Sequence, residues 1–390
     1  MNRGIILLLF VSVLLCIGCS DTQHYKFTLR GNLEGIMDGE VALLKPFKNE
    51  VLCSTRIEGG KFELKGCLEA PGQFGLKVGE RSFLVFMDGH DMRLDGAYES
   101  LSANDLKGSP ANDLEREYRD LINKEYYGRQ WPLLEEYKQA DDAGDVKLAD
   151  KVMTQVIRLE DTRYELTREF ARQHPDNIFS AYASEQIGRE VYRYAKGLYE
   201  VLGAKVRESQ WGIALKKHVD DLVTSIEGTE VPDFTVTDEE GNKVSMSSLR
   251  GSVVVLDFWA SWCGPCRKEM KSLRELYKEL EGQGVRFVSI SLDDSEERWK
   301  KACEEEQIPW LSALAEGGWE KSTIRKALGI ESIPHIIVVD KEGKIAAKNA
   351  RRNILWERLE EILNKKDTRG GGKTPFSSLL GFVCVNKLLF

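Results

Sequence analysis

The sequence has no excess of positive charge, no long internal apolar run and few cysteines. Lys and Arg number 55 against 63 Asp and Glu, which gives a formal net charge of −8. A nucleic-acid-binding protein presents a basic stripe, so we expect no nucleic-acid partner. After the N-terminal residues, no stretch reaches the roughly 20 apolar residues that cross a bilayer. Eight cysteines in 390 residues do not make a disulfide scaffold, so their placement matters more than their number.

Residues 1–19 form a segment of their own. Asn2-Arg3 precedes a nearly unbroken apolar run over residues 5–17, and a polar run follows, which is the layout of a secretory signal peptide. Gly18-Cys19 resembles the end of a bacterial lipobox. The resemblance implies that Cys19 becomes a lipidated first residue that anchors the chain in a membrane. We therefore expect a lipoprotein of the cell envelope that faces the periplasm.

Composition divides the remaining chain into four segments. Residues 20–110 alternate short β-like runs with glycine turns, which predicts a small antiparallel sandwich-like or barrel domain. Residues 111–228 have little glycine and carry apolar residues at helical spacing, which predicts a helical connector. In residues 229–366, buried-type strands alternate with helices, which predicts an α/β domain with both sheet faces covered. In residues 367–390, a run of three glycines leads to an apolar stretch, 376–390, that is too short to span a bilayer, and we expect an atypical, disordered tail.

The run Trp262-Cys263-Gly264-Pro265-Cys266 stands between a predicted buried strand, 253–258, and a predicted helix, 265–280. At a helix N-terminus, free N–H groups and the helix dipole stabilise a thiolate, and a cysteine pKa falls from about 8.5 to roughly 3.5–7.5. A second thiol one turn further can close a disulfide or release a mixed disulfide. A proline early in the helix costs no hydrogen bond. The pattern indicates thiol–disulfide exchange.

A zinc site is the main alternative use of two cysteines at this spacing. Zinc needs four ligands, and the region offers only Cys303 and His335 besides the pair. We therefore expect no metal, and no cofactor is implied. A purely structural disulfide is also disfavoured, because Trp262 and the Gly-Pro pair are typical of an exposed helix start.

The run from Asp257 to Cys266, Asp-Phe-Trp-Ala-Ser-Trp-Cys-Gly-Pro-Cys, resembles the active-site strand and turn of thioredoxin. Ile333-Pro334 stands about seventy residues later, as the cis-proline of that family does. The resemblance covers residues 231–364. It is strongest to the exported TlpA/ResA-like branch, related to the AhpC/TSA proteins, through Pro232-Asp233-Phe234 and the Asp-x-x-Gly run at 238–241. It implies a thioredoxin fold and a thiol:disulfide oxidoreductase that reduces disulfides in exported proteins, apocytochrome c among the candidates.

The resemblance also implies catalytic roles for individual residues. Cys263 would attack, Cys266 would resolve the mixed disulfide, and Asp257 would move the proton of the second thiol. Burial among apolar neighbours would raise the pKa of Asp257 toward neutrality. Glu269 stands where TlpA/ResA-like proteins carry a functional glutamate, and a solvated helix glutamate is the alternative. Pro334 would face the disulfide.

The residues around the pair would form the surface that meets a partner. Trp262, Gly264 and Pro265 would flank the disulfide, and the backbone of Ile333 would pair with the partner in strand fashion. The partners would be cysteine-containing exported proteins and an upstream thiol reductant. His335 follows the cis-proline, where the family has a small residue or threonine, and we expect a packed or solvent-facing histidine there.

The sequence leaves open the state of two cysteines, the role of the first segment and two rival functions. Cys53 and Cys67, on two predicted hairpin strands, either form a cross-strand disulfide or are two buried thiols. The first segment is similar to an uncharacterised β domain fused to thioredoxin lipoproteins of Bacteroidetes-type bacteria, with no activity implied. Rival functions are a peroxiredoxin, which would need a threonine at the place of Ala260, and a binding lipoprotein whose redox domain is vestigial.

Overall fold

The computed structural model describes residues 25–46, 48, 50–189 and 191–364. The predicted signal peptide with Cys19 and the predicted tail lie outside the described residues. Within the described part of the chain, no helix combines the length and the apolar character needed to cross a membrane. The chain divides between Glu117 and Tyr118 into two compact units, which are described separately.

The first unit is built on one eight-stranded sheet. Its strands are β1 (Tyr25–Glu34), β2 (Asp38–Leu44), β3 (Val51–Glu58), β4 (Lys61–Leu68), β5 (Gly72–Val78), β6 (Arg81–Met87), β7 (Met92–Ala97) and β8 (Leu106–Lys107). They lie in the order β6-β5-β2-β3-β4-β1-β7-β8. Alternate side chains of β1, such as Leu29 and Leu33, enter a single buried cluster. The prediction of a small all-β region is confirmed.

The expectation of a purely antiparallel sheet is wrong at one place. β1 and β7 pair in parallel, while the other neighbouring strands are antiparallel. A parallel pair needs a crossover connection. The strands β2 to β6 provide that connection, which a strand-by-strand interpretation of the sequence did not foresee.

Cys53 and Cys67 do not stand opposite one another. The two-residue turn Gly59-Gly60, with positive φ at both glycines, pairs Glu58 with Lys61. Continued along the strands, this register sets Cys53 beside Gly66, where a β-carbon would lie 3.0 Å from the Cys53 sulfur. Cys67 is one residue further, so its side chain points to the other face, and it is exposed. Neither a cross-strand disulfide nor a pair of buried thiols is present.

Helices follow the sheet along the chain, as the spacing of apolar residues predicts, and the boundary between the two units falls within the first helix. The helices are α1 (Pro110–Ile122), α2 (Gly128–Asp142), α3 (Val146–Gln173), α4 (Ile178–Ile187), α5 (Tyr192–Val201), α6 (Ala204–Arg207) and α7 (Gln210–Leu222), with a π-helical turn at Asn123–Tyr127. The side chain of Asp145 caps α3 by accepting from the Leu148 N–H at 3.0 Å. α3 ends at Gln173, with His174 as its C-cap, because Pro175 cannot continue the helix.

The rest of the second unit alternates strands and helices. The elements are β9 (Thr235–Asp238), β10 (Lys243–Ser245), β11 (Val253–Trp259), α8 (Gly264–Leu280), β12 (Val285–Ser291), α9 (Glu296–Glu306), β13 (Leu311–Leu314), α10 (Gly318–Lys321), α11 (Thr323–Ala327), β14 (His335–Val339), β15 (Ile345–Lys348) and α12 (Arg352–Asn364). The sheet has the order β10-β9-β13-β12-β11-β14-β15, with β11, β12 and β13 parallel.

The central strand β11 is buried along its whole length. Its β-branched run packs on both faces of the sheet: Val255 and Trp259 join a cluster with α8 and α12, whereas Val254 and Leu256 join the opposite cluster. Helices therefore cover both faces, as expected for strands that read as continuous apolar runs. The predicted α/β thioredoxin architecture is confirmed.

Candidate active site

Cys263 and Cys266 stand where β11 ends and α8 begins, and a disulfide joins them. Cys263 is the N-cap of α8, and its sulfur accepts the backbone N–H of Cys266 at 3.2 Å. Pro265 lies in the first turn, where its missing N–H leaves no gap in the helix. Free N–H groups at this end of the helix favour a thiolate at Cys263 once the disulfide is reduced.

The peptide bond between Ile333 and Pro334 is cis. It precedes β14, which pairs with β11 so that His335 lies opposite Phe258. The loop therefore comes to the same end of the sheet as the cysteines, and the carbonyl oxygen of Ile333 lies 3.8 Å from the Cys263 sulfur. The tertiary structure brings together residues that are 70 positions apart in the chain.

Asp257 is buried beneath the same end of the sheet, with 3% of its surface exposed. It shares its face of β11 with Val255 and Trp259, which pack in the cluster that contains both cysteines. Burial raises the pKa of Asp257 to about 7, while a hydrogen bond from the Ser289 hydroxyl, at 2.9 Å, acts to lower it. A carboxyl that titrates near neutral pH can both take and return a proton.

Glu269 is not the solvated helix glutamate that the sequence left as an alternative, because only 3% of its surface is exposed. Its carboxylate lies 2.9 Å from Nε of Arg352 and also accepts the backbone N–H of Arg352 at 3.2 Å. Its negative charge contributes to the raised pKa of Asp257. The sequence placed Glu269 near the site, and the structure adds the buried cation that holds it.

Arg352 is a site residue that sequence reasoning missed. Its Nη1 lies 2.6 Å from a carboxylate oxygen of Asp150 in α3, and Asp150 also accepts the Ser272 hydroxyl of α8. The guanidinium is almost fully buried, so three helices meet at one desolvated charge. No local sequence pattern predicts this contact, because Asp150 and Arg352 are 202 residues apart.

Asp293 is a second residue that sequence reasoning missed. It follows β12 and is 1% exposed. Its carboxylate accepts the backbone N–H of Ser261 at 2.8 Å, the Ser261 hydroxyl at 2.6 Å and the Ser291 hydroxyl at 2.7 Å. These bonds fix the loop that leads from β11 to Cys263. Its place just beyond a buried strand was the one feature of the sequence that could have indicated this role.

An exposed aromatic surface lies beside the disulfide. Trp262 is 53% exposed and packs edge-to-face on Trp319, with ring centroids 6.1 Å apart. The guanidinium of Arg325 stacks over Trp319, 4.6 Å from the ring centroid. Gly264 is also exposed, and no atom lies within 4 Å of where its β-carbon would be. A polypeptide partner can therefore approach the disulfide from this side.

His335 and Cys303 are both packed in the interior. Burial lowers the pKa of His335 to about 3, helped by the charges of Lys348 and Arg351, so the ring is neutral and not solvent-facing. Burial raises the pKa of Cys303 to about 12, and its sulfur lies 3.1 Å from the Ser312 hydroxyl. Over the described residues, no group of three or more His, Cys, Asp or Glu side chains is arranged to hold a metal ion.

Two family models match the chain. Residues 228–348 match the AhpC/TSA family, and residues 27–115 match a domain of unknown function, DUF4369. The ResA thiol-disulfide oxidoreductase of Bacillus thuringiensis subsp. konkukian is 33% identical over 138 residues, which cover 35% of this chain and 77% of that protein. Nucleoredoxin of Bos taurus is 33% identical over 132 residues, which cover 33% of this chain and 28% of that protein.

Solved structures also resemble the C-terminal region. The thioredoxin domain of a thiol-disulfide oxidoreductase from Bacteroides vulgatus is 35% identical, covers 36% of this chain and 99% of its own, and has a TM-score of 0.33. A thiol-disulfide oxidoreductase from Bacteroides fragilis is 30% identical, covers 34% of this chain and 98% of its own, and has a TM-score of 0.33. From the sequence match to ResA over most of that protein's length, the chain belongs to the ResA-like thiol-disulfide oxidoreductases of the AhpC/TSA-related thioredoxin fold.

Proposed function

We propose that this oxidoreductase is an envelope-facing, lipid-anchored reductase of disulfides in exported proteins. The observation that carries the proposal is the Cys263–Cys266 pair at the start of α8, with the Ile333 carbonyl 3.8 Å from the Cys263 sulfur. It combines a cysteine whose thiolate is stabilised with a backbone acceptor for a bound peptide. Export and anchoring rest on the pattern of residues 1–19 and on Cys19.

The reaction consumes one partner disulfide and two thiols of the enzyme. The Cys263 thiolate attacks one sulfur of the partner disulfide, and the other partner sulfur leaves as a thiolate. Cys266 then loses its proton and attacks the Cys263 sulfur, which releases the second partner thiolate. The partner is reduced by two electrons, and the enzyme is left with the Cys263–Cys266 disulfide. A dithiol reductant on the same side of the membrane returns it to the reduced form.

Asp257 is the group that we assign to the proton of Cys266. It is buried on the face of β11 that packs with both cysteines, and its pKa is raised by burial to about 7. An acceptor with that pKa removes a thiol proton near neutral pH and can return it during re-reduction. Glu269 acts as a positioning residue, because its charge bears on Asp257 and its carboxylate is held by Arg352.

Partner binding uses the two sides of the disulfide. The backbone of Ile333, held by the cis bond to Pro334, pairs with an extended segment of the partner, which fixes the partner cysteine beside Cys263. Trp262, with the neighbouring Gly264 and Pro265, supplies apolar contact on the other side. Such contacts recognise backbone and apolar side chains more than a particular sequence, which suits a reductase of several exported proteins.

The decisive experiment traps the mixed disulfide in cells. Cys266→Ala removes the resolving thiol, so partners accumulate on Cys263 and are identified after non-reducing separation, with apocytochrome c as the first candidate. The matched control Cys263→Ser keeps Cys266 but traps nothing, because the buried second thiol does not reach partners. If Cys266→Ala is folded and exported yet traps nothing, the reductase proposal fails.

A further inference from the structure

A cavity of about 880 Å³ lies in the second unit, between helices α3 to α5 and the loop that joins β15 to α12. This volume lies in the range of small-molecule sites. Seven arginine and lysine side chains line the cavity, against three carboxylates. The excess of positive charge is unexpected in a chain whose formal net charge is −8.

Most of these cations are already neutralised by nearby carboxylates. The three carboxylates of the wall each pair with an arginine of the wall: Glu160 with Arg163, Asp161 with Arg193, and Glu227 with Arg358. Two further arginines pair with carboxylates that do not line the cavity: Arg158 with Glu357, and Arg189 with Glu185. Two cations of the wall are left.

Lys348 and Arg351, at the two ends of the β15–α12 loop, are those two cations. Among the described residues, neither has a carboxylate within ion-pair distance. The ammonium of Lys348 donates only to neutral acceptors, the Leu328 carbonyl at 2.6 Å and the Ser225 hydroxyl at 2.8 Å. Nε of Arg351 is buried without a hydrogen-bond partner. Both side chains are half-buried, and a cation that has lost part of its water without gaining a counter-charge is unfavourable. The pair is therefore suited to an anion from outside the chain.

The cavity wall also carries apolar side chains. Ile157, Val191 and Ile354 line it together with the ring of Tyr192. A free inorganic anion would leave this surface in contact with water. A ligand with a flat or branched apolar body would cover it and gain about 25 cal/mol for each Å² removed from water.

We propose that the cavity binds a small organic anion whose carboxylate or phosphate group lies between Lys348 and Arg351. A guanidinium presents two parallel N–H groups that match either group, and an ammonium adds a point charge. The apolar body of the ligand packs on Ile157, Ile354 and the ring of Tyr192. The residues that line the cavity include neither cysteine of the disulfide and none of the residues assigned to the reductase chemistry.

Calorimetric titration of the full chain, purified in detergent at low salt, tests the proposal with three probes: phenyl phosphate, benzoate and inorganic phosphate. We expect phenyl phosphate or benzoate to bind at one site per chain, at least about tenfold more tightly than inorganic phosphate. The tighter of the two organic probes identifies the anionic group. If inorganic phosphate binds as tightly as the organic probes, the apolar wall does not contribute to binding, and the proposal of an organic ligand is overturned.

Two variants and one control assign the site. Arg351→Gln and Lys348→Met should each weaken binding at least about tenfold, since each removes one charge-assisted contact. Arg286 is an exposed arginine on β12, and Arg286→Gln should change the binding affinity by less than about twofold. Disulfide reduction in the absence of a probe should be unchanged in Arg351→Gln, which shows that the variant is folded. No saturable binding at about 10 mM probe, or binding unchanged in both site variants, rejects the proposal.

Discussion

The buried carboxylate of Glu269 lies 2.9 Å from the guanidinium of Arg352, and the same guanidinium reaches Asp150 at 2.6 Å. One cation thus links α8, which carries the cysteines, to α12 and to α3 of the helical segment. The two carboxylates tolerate burial only because Arg352 is present, since an unpaired buried charge is costly.

Arg352→Met should therefore destabilise the protein strongly. It leaves Glu269 and Asp150 desolvated without a cation, and we expect the free energy of unfolding to fall by about 3–5 kcal/mol. Urea unfolding followed by circular dichroism measures the loss. Arg358→Met is the matched control on the same helix, because its partners Glu227 and Glu361 are exposed, and it should cost less than about 1 kcal/mol. Equal losses in the two variants would contradict the role assigned to Arg352.

The pH profile of disulfide reduction should report Asp257. The Asp257 carboxylate accepts the Cys266 proton, so the rate of the resolving step should rise with pH through about 7. Asp257→Asn should remove that rise and slow the step by about 10²-fold or more. Ser289→Ala removes a hydrogen bond that lowers the pKa of Asp257, so the midpoint should move to higher pH. Stopped-flow measurement of mixed-disulfide decay provides the rates, and an unshifted midpoint in Asp257→Asn would exclude the assignment.

Burial of Asp257 should also make stability depend on pH, measured with the disulfide intact. The pKa is about 7 when folded and near 4 when unfolded, so between these values the folded state holds a proton that the unfolded state has lost. Stability therefore falls as pH rises from about 4 to about 7, by about 4 kcal/mol at most, and is flat above. Asp257→Asn should lack this fall. The free energy of unfolding of both proteins is measured at pH 5 and at pH 8. Between these two values, the variant should become more stable relative to the unchanged protein.

Trp262→Ala should impair reduction of protein disulfides more than of small ones. The exposed indole offers apolar area to a polypeptide partner, and we expect the rate with an unfolded disulfide-bonded protein to fall by about tenfold. Reduction of cystine, which is too small to cover the ring, should change by less than about twofold. Trp131→Ala is the control, since Trp131 is 65% exposed on α2 and should affect neither substrate.

Cys303 should be inert toward alkylation in the folded protein. Burial raises the pKa of its thiol to about 12, so at pH 8 its thiolate fraction is about a thousandfold below that of an ordinary cysteine. Iodoacetamide labelling with peptide mass spectrometry measures the rate for each cysteine. The exposed Cys67 is the internal reference. Labelling of Cys303 at the same rate as Cys67 would contradict the burial of the Cys303 thiol.

Local features were predictable because they depend on neighbours in the chain. The apolar run 253–258, the Cys-Gly-Pro-Cys turn and the helix that follows it appear in the structure within one residue of their predicted bounds. The short strand β13 was missed, because four residues with a serine among them give too weak a periodicity. The parallel pairing of β1 with β7 was missed because it depends on a crossover, not on either strand.

The sequence by itself determined that Cys263 and Cys266 stand at a strand-to-helix junction and that the chain carries a thioredoxin-like dithiol. Only the tertiary structure decided that Glu269 is buried against Arg352 and Asp150, that His335 is packed and neutral, and that Cys53 faces Gly66 instead of Cys67. Propensity and capping act over a few residues, whereas burial and charge pairing depend on which distant segments meet. A strand register or a buried ion pair between residues 202 positions apart leaves no local mark in the sequence.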